Sequence, residues 1–239
     1  MITISIVSHA QAGLVCGLLR DLQGLGRDDL QVILTVNVPE TLPEEFGRLL
    51  PRLEIVRNAA PKGFGANHNA AFRRARGEYF CVLNPDIRMA QDPFAALTMA
   101  AQPAQVALAA PRIVDATGVV EDSARRFPTP ASLLRKLFGL APRLDYPPGD
   151  QPFSPDWVAG MFMLFRREAF DKAGGFDERF FLYYEDVDIC RRLRRMGFDV
   201  RLVPQATVTH EAQRASRRDP RHMLYHLRSM LRYLRAGYR

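Results

Sequence analysis

Lysine is almost absent from this 239-residue chain: Lys62, Lys136 and Lys172 are the only ones, so nearly all of its 33 basic side chains are arginines. Cysteine is scarcer than a disulfide scaffold needs. Cys16, Cys81 and Cys190 are odd in number and far apart, with no paired metal-ligand spacing, and read as reduced thiols rather than bridges, metal ligands or redox centres. No apolar run approaches the roughly 18 residues a membrane span requires. The opening Met1 to Val7 also lacks the basic start of a secretory signal, so the expected compartment is the cytoplasm. Internal repeats and low-complexity tracts are missing. So are the G-x-x-x-x-G-K-[ST], G-x-G-x-x-G and G-x-S-x-G patterns, which argues against P-loop nucleotidases, dinucleotide dehydrogenases and serine hydrolases.

What is present suits a globular protein: 47% hydrophobic, 25% charged, net charge +7. The length fits one large α/β core plus a tail. Charge is uneven, because residues 191–239 hold 13 arginines against Asp199, Glu211 and Asp219. A basic end on a near-neutral body points to an anionic partner (bilayer headgroups, a phosphorylated lipid or nucleic acid) or to a solvated helix face.

Ile2 to Ser8 reads as a strand, Gln11 to Leu25 as a helix with Leu14, Leu18, Leu22 and Leu25 at helical spacing, and Leu30 to Val38 as a second strand. Short strands follow at Leu53–Arg57 and Glu78–Leu83, with a helix from about Ala66 to Arg76 between them and another after Asp92. This alternation predicts a mainly parallel sheet with helices on both faces, whose ligands gather at the carboxyl ends of the strands. From Pro103 to Pro155 prolines recur, and the stretch reads as an irregular surface loop or flap. Trp157–Phe165 then reads as a strand, Arg167 starts a short helix, and Glu185–Met196 a stronger one ending at Gly197. Phe198–Val203 is a last strand, and Met223–Leu234 repeats Leu224, Leu227, Leu231 and Leu234 as an amphipathic helix.

Three constellations carry chemistry. Asn58 to Asn69 sets Gly63, Gly65 and several amides between a strand and a helix, which serves either a tight turn or a phosphate cradle. Cys81 to Asp86 runs an apolar strand into Asn84-Pro85-Asp86, either a helix-capping turn or a carboxylate that holds a divalent cation against a diphosphate. Phe180 to Asp188 crowds Glu185, Asp186 and Asp188 behind aromatic residues. Acids at a helix start suit the dipole, and aromatic walls beside clustered carboxylates also suit a general base. His210, after a strand-like run, is a candidate metal or phosphate ligand. His9 and His68 sit at a strand end and in the glycine-containing turn, and His222 and His226 one turn apart on the last helix.

With these residues on the page, the chain from Ile4 to about His210 resembles the inverting family 2 glycosyltransferases of the GT-A fold, in particular their bacterial rhamnosyltransferase-like branch. Gly160 through Arg192 carries the resemblance most specifically, being similar almost throughout to that family's acceptor-side and catalytic signature. The resemblance implies a Rossmann-like, mainly parallel α/β sheet. It makes Asn84-Pro85-Asp86 the counterpart of a D-x-D motif, with Asp86 and the late His210 holding Mg²⁺ or Mn²⁺, and Asn84 standing where many relatives have Asp. It makes Asp186, beside Glu185, the catalytic base. Gly63, Phe64, Gly65 and Asn69 fall on the donor side with Ser8, His9, Asn37 and Asn84, while Trp157, Gly160, Tyr184 and Asp188 fall on the acceptor side. Arg192 matches the family's helix arginine.

The chain departs from the pattern at two strand ends. Ser8-His9-Ala10 replaces Thr-Tyr-Asn or similar, and Val36-Asn37 replaces Asp-Asn, which leaves the base open between UDP and dTDP. Expected partners are a nucleotide-sugar donor and a saccharide or polyprenyl-linked acceptor. The expected organisation is a glycosyltransferase domain over 1–212, with a flap-like insertion at 113–155 that orders over bound donor, and a basic amphipathic helix over 213–239. With Arg228, Arg232 and Arg235 beside its leucines, that helix is expected on an anionic membrane surface, peripheral to the inner face of the plasma membrane. A sugar nucleotidyltransferase is disfavoured because no phosphate loop rich in Gly, Arg and Lys lies between Ser8 and Leu25. Nucleic-acid binding is disfavoured because Tyr225, Tyr233 and Tyr238 form a thin stacking platform. A catalytically silent relative acting as a scaffold is the remaining alternative.

Overall fold

A computed structural model describes residues 1–140, 142, 144–211 and 220–237. Apolar, β-branched runs form strands and leucine-spaced runs form helices in the order β1 (Ile2–Ser8), α1 (Ala12–Gly24), β2 (Leu30–Val36), α2 (Phe46–Leu49), β3 (Leu53–Arg57), α3 (Phe64–Phe72), β4 (Tyr79–Leu83), β5 (Ile87–Arg88), α4 (Phe94–Ala100), β6 (Val106–Val114), β7 (Ala124–Arg125), α5 (Pro130–Leu137), β8 (Trp157–Val158), β9 (Phe162–Arg166), α6 (Arg167–Lys172), α7 (Glu185–Arg195), β10 (Asp199–His210) and α8 (Pro220–Gly237). Eight strands make one sheet in the order β3-β2-β1-β4-β9-β6-β10-β5, and β7 pairs with β8 apart from it.

β1, β2, β3 and β4 run parallel, as do β6 and β10, whereas β9 runs antiparallel to both β4 and β6. Because both faces are covered, the central strands are buried along nearly their whole length. One core packs α1 and α4 against the sheet, and the other gathers Phe80, Phe165, Phe170 and Phe176 under α6 and α7. A buried polar group within the sheet is satisfied: Thr3 Oγ1 donates to Gln31 Oε1 and accepts from the Gly77 N–H.

The structure corrects four local expectations. Within 103–155, Val106–Val114 is a central strand, since Pro111 falls past the last β9 partner, Ala109, where a missing N–H is tolerated. The 113–155 stretch is not uniformly irregular, because Pro130 opens α5 and Thr129 and Ser132 exchange capping hydrogen bonds at its start. Trp157–Phe165 divides into β8 and β9 around Gly160. The last strand extends from Asp199 to His210. Of the predicted basic tail, residues 213–219 with Arg214, Arg217 and Arg218, together with Tyr238 and Arg239, lie outside the described residues.

Candidate active site

The carboxyl ends of β1, β2 and β4 and the end of β10 bring together residues distant in the chain. Two-residue pairing of β10 with β5 aligns His210 with Ile87, so Asp86 and His210 are neighbours. His210 Nε2 lies 3.2 Å from Asp86 Oδ2, and its Nδ1 lies 2.8 Å from Glu121 Oε2. The hydrogen bond to Asp86, then the charges of Asp86 and Glu121, raise the His210 pKa to about 9 against the opposing effect of burial. Asp86 Oδ1 is buried and has no partner. An orphaned carboxylate oxygen beside an imidazole is a donor set that Mg²⁺ or Mn²⁺ fits, with diphosphate oxygens and water completing the shell. Among the described residues no group of three or more ligating side chains forms a closed cage. Glu121 would then orient His210 from behind, as carboxylates commonly do for metal-binding imidazoles. Glu121 sits in the proline-rich stretch and no sequence signal marked it.

Gly160 ties the two acidic centres together. Its N–H donates to Asp186 Oδ2 at 3.0 Å, and the carbonyl of the next residue, Met161, accepts from the Asn84 N–H at 2.9 Å. A Cβ at Gly160 would sit 3.3 Å from the Phe64 ring and 3.7 Å from Asp186 Cβ, so the donor-side loop and the carboxylate both close on this glycine. The preceding residue, Ala159, donates to the carbonyl of Ser123, which brings the β7 stretch to the same turn. Arg125, on β7, places its guanidinium 5.4 Å from the Trp157 ring centre and pairs with Asp122.

Asp186 and Glu185 open α7, where the helix dipole favours negative charge. Burial raises the Asp186 pKa, while the Val187 and Gly160 N–H groups and the Arg125 charge hold it down. Glu185 is 4% exposed and its Oε2 has no partner. Burial first, then the Asp186 charge, lifts its pKa well above the ordinary range. Burial thus pushes both carboxyls of the pair toward the neutral form, and the Asp186 charge adds to the effect on Glu185. A raised folded pKa contributes stability that is complete below the unfolded value and lost as pH rises through the folded one. Glu185→Gln should accordingly fold normally and gain stability over wild type by ~1.4 kcal/mol per unit of pKa shift, progressively above about pH 4.5. Melting temperatures across pH 5 to 9 check this, and equal slopes for both proteins would show that Glu185 is ionised.

Tyr183 and Tyr184, just before this pair, both have φ of 70°, a left-handed conformation that costs non-glycine residues about 1–2 kcal/mol each. α8 holds them there. Tyr183 Oη lies 2.9 Å from His222 Nδ1, Tyr184 packs on His226 and Tyr233, and Ser229 Oγ donates to the Leu182 carbonyl at 2.8 Å. Tyr184 is nearly buried and its phenol is pushed up to about 12, chiefly by burial.

On the donor side, Asn37 is buried and fully engaged. Its Oδ1 accepts from Asn58 Nδ2 and the Lys62 N–H, and its Nδ2 donates to the Lys62 carbonyl and to His9 Nδ1. These partners fix the amide's orientation with Nδ2 toward His9 Nδ1, and the His9 ring is exposed. Asn58 and Asn67, among the amides of the 58–69 segment, extend the network. Ser8 is buried and accepts from the Gln11 N–H, closing the turn after β1. Gly63 passes so close to the Phe181 carbonyl that a Cβ would lie 2.6 Å from it, and Gly65 is equally tight against Phe176.

Three expected contacts lie elsewhere. Asn69 spends its amide on Phe176 and Glu178, bracing the 175–178 turn rather than facing the cleft. Asp188 holds Arg192, which in turn binds the Ala173 and Gly175 carbonyls, so both brace the same turn. Trp157 is buried, with its Nε1 donating to the Arg126 carbonyl.

Comparison with known proteins matches residues 31–232 to the family described as Glycosyltransferase like family 2. The chain is 29% identical to the rhamnosyltransferase WbbL of Escherichia coli, over 98% of this chain and 92% of that protein. It is 36% identical to the N-acetylglucosaminyl-diphospho-decaprenol L-rhamnosyltransferase of Mycobacterium tuberculosis over 66% of this chain, and spans 55% of that relative's length. GalNAc-T7 with UDP, GalNAc and Mn²⁺ superposes with a TM-score of 0.65 at 16% identity, covering 89% of this chain and 43% of that one. The mannosyltransferase PcManGT from Pyrobaculum calidifontis, in complex with GDP-Man and Mn²⁺, gives 0.63 at 18% identity, covering 97% and 64%. At these identities the likeness to solved structures establishes the fold.

Proposed function

Because the chain belongs to glycosyltransferase family 2, we propose that it moves a sugar from a nucleotide-diphosphate donor to a hydroxyl of a saccharide or polyprenyl-linked acceptor, with inversion at the anomeric carbon, in cell-surface polysaccharide synthesis. Relatives named as rhamnosyltransferases support a deoxyhexose such as rhamnose, carried on dTDP or UDP, and the decaprenol in one of those names supports an acceptor met at an anionic membrane surface. The observation that supports the reading is the short path from Asn84, whose N–H donates to the Met161 carbonyl, to Gly160, whose N–H donates to Asp186, because it links the segment bearing Asp86 to the proposed base.

Asp186 is the base. Its Oδ2, oriented by the Gly160 N–H, takes the proton from the acceptor hydroxyl as that oxygen attacks. Phe64 packs on Gly160 beside Asp186, and the loop fixed by Asn37 and Gly63 would lie against the donor. A divalent cation held by Asp86 and His210 would neutralise charge gathering on the departing diphosphate. The exposed His9 ring is the group available to the nucleobase.

A thermal-shift screen of UDP, dTDP and GDP sugars with and without Mn²⁺ tests the reading. Saturating the right donor at about 100 times its dissociation constant should add ~2.7 kcal/mol, a shift of roughly 5–10 °C that needs the cation. If no sugar nucleotide shifts the protein under either condition, donor binding is wrong. Release of pyrophosphate from a nucleoside triphosphate and a sugar phosphate would instead identify a nucleotidyltransferase.

A further inference from the structure

α8 presents two opposite faces. His222, Tyr225, Ser229 and Tyr233, spaced three or four apart, turn inward, and Ser229 and Tyr233 are almost completely buried against the 181–184 segment. Leu224, Leu227 and Leu231 do not share that face, whereas Leu234 is partly buried against the body. Leu227 lies two residues from Ser229, about 200° around the helix, and therefore points away from the body. Met223, Leu224, Leu227 and Leu231 form one row on this outward side and remain 65%, 46%, 44% and 49% exposed. Arg228, Arg232 and Arg235 form a second exposed row along its flank, and among the described residues none of the three is paired with a carboxylate.

An apolar row facing solvent with a row of arginines beside it matches the boundary of an anionic bilayer, where leucines enter the acyl region and guanidinium groups meet headgroup phosphates. A second copy of the chain fits less well, because antiparallel pairing of two such faces would set the arginine rows side by side. No helix among the described residues is long and apolar enough to cross a membrane, so the contact is in the plane of the surface.

We propose that the outward face of α8 is the membrane-docking surface, with an anionic lipid bilayer as its occupant. It deepens the reading above, resting on it for the acceptor being lipid-linked. The inward face of the same helix clamps Tyr183 and Tyr184 at the start of α7, so docking holds the segment before Asp186 one helix diameter, ~10 Å, from the lipid surface. The sugar of a lipid-linked acceptor can then reach the base while its lipid tail stays in the bilayer.

The test is co-flotation of the full chain with vesicles of phosphatidylcholine alone or containing about a third phosphatidylglycerol, beside transfer assays with a water-soluble and a polyprenyl-linked acceptor. Wild type should float with anionic vesicles only. Leu224→Ser, Leu227→Ser and Leu231→Ser combined should weaken partitioning at least about tenfold, and Arg228→Gln, Arg232→Gln and Arg235→Gln combined on the order of a hundredfold with a flattened salt dependence. Both variants should retain the donor-induced thermal shift and transfer to the soluble acceptor while losing transfer to the lipid-linked one. Flotation that the leucine variant leaves unchanged, absence of wild-type flotation, or a wild-type dimer that the leucine variant dissociates would each overturn the proposal. Loss of transfer to both acceptors in wild type, with flotation intact, would instead count against the enzymatic reading alone.

Discussion

Asp186→Asn should lower turnover on the order of 10²- to 10⁴-fold while leaving donor affinity within about threefold. The size follows from removal of the group that accepts the acceptor's proton, and the selectivity from its bonding to the Gly160 and Val187 N–H groups rather than to the Asp86–His210 pair. The substitution also has a structural cost. Both carboxylate oxygens of Asp186 accept backbone N–H groups, Oδ1 from Val187 at 2.8 Å and Oδ2 from Gly160 at 3.0 Å. An asparagine side chain can accept only one of them, which leaves a donor facing a donor and should lower stability by about 1–3 kcal/mol. Turnover is therefore compared well below the melting temperature, with the donor-induced shift certifying the fold. In wild type the acid limb of kcat/KM should lie above the ordinary Asp range, because burial raises the Asp186 pKa, and the variant should lack that limb. Turnover within tenfold of wild type would remove Asp186 from the role of base.

Much of this geometry was legible because periodicity and punctuation agreed. β1, α1, β2, β3 and β4 follow unbroken apolar or leucine-spaced runs, and α7 begins on acids and ends at Gly197, whose φ of 82° suits the stop. The turn after β4 was readable too, since an apolar strand can only deliver Asn84 and Asp86 to the sheet edge. What escaped depends on partners far away in the chain. Glu121 acquires meaning only from His210, 89 residues on, and Asn69 only from Phe176, 107 residues on. β6 was hidden by Pro111, whose tolerance depends on where β9 stops pairing. The leucine row of α8 announced an amphipathic helix but not its orientation. A second face bearing His222, Tyr225, Ser229 and Tyr233 competes for the body, and it wins because it hydrogen-bonds and stacks on the left-handed tyrosines that leucines could not restrain.

Asp86→Ala should have an effect comparable to Asp186→Asn but of a different kind, lowering turnover on the order of 10²- to 10⁴-fold and abolishing the Mn²⁺ dependence of the donor-induced thermal shift. Asp86 Oδ1 is the buried oxygen without a partner, and Oδ2 is the main cause of the raised His210 pKa. Removing the carboxylate deletes the donor and lets the His210 pKa fall back toward its ordinary value. The sign of the accompanying stability change follows. A histidine raised to about 9 contributes stability that is fully present below about pH 6.5 and lost as pH rises through 9. Wild type should therefore exceed the variant by at most ~3 kcal/mol near pH 6, with the gap closing toward pH 9. Glu121 limits the loss, because its own hydrogen bond to Nδ1 remains. Following the His210 ring by NMR titration alongside the thermal shift separates the two consequences. A variant whose donor shift still responds to Mn²⁺ as wild type does would place the cation elsewhere, whatever its turnover.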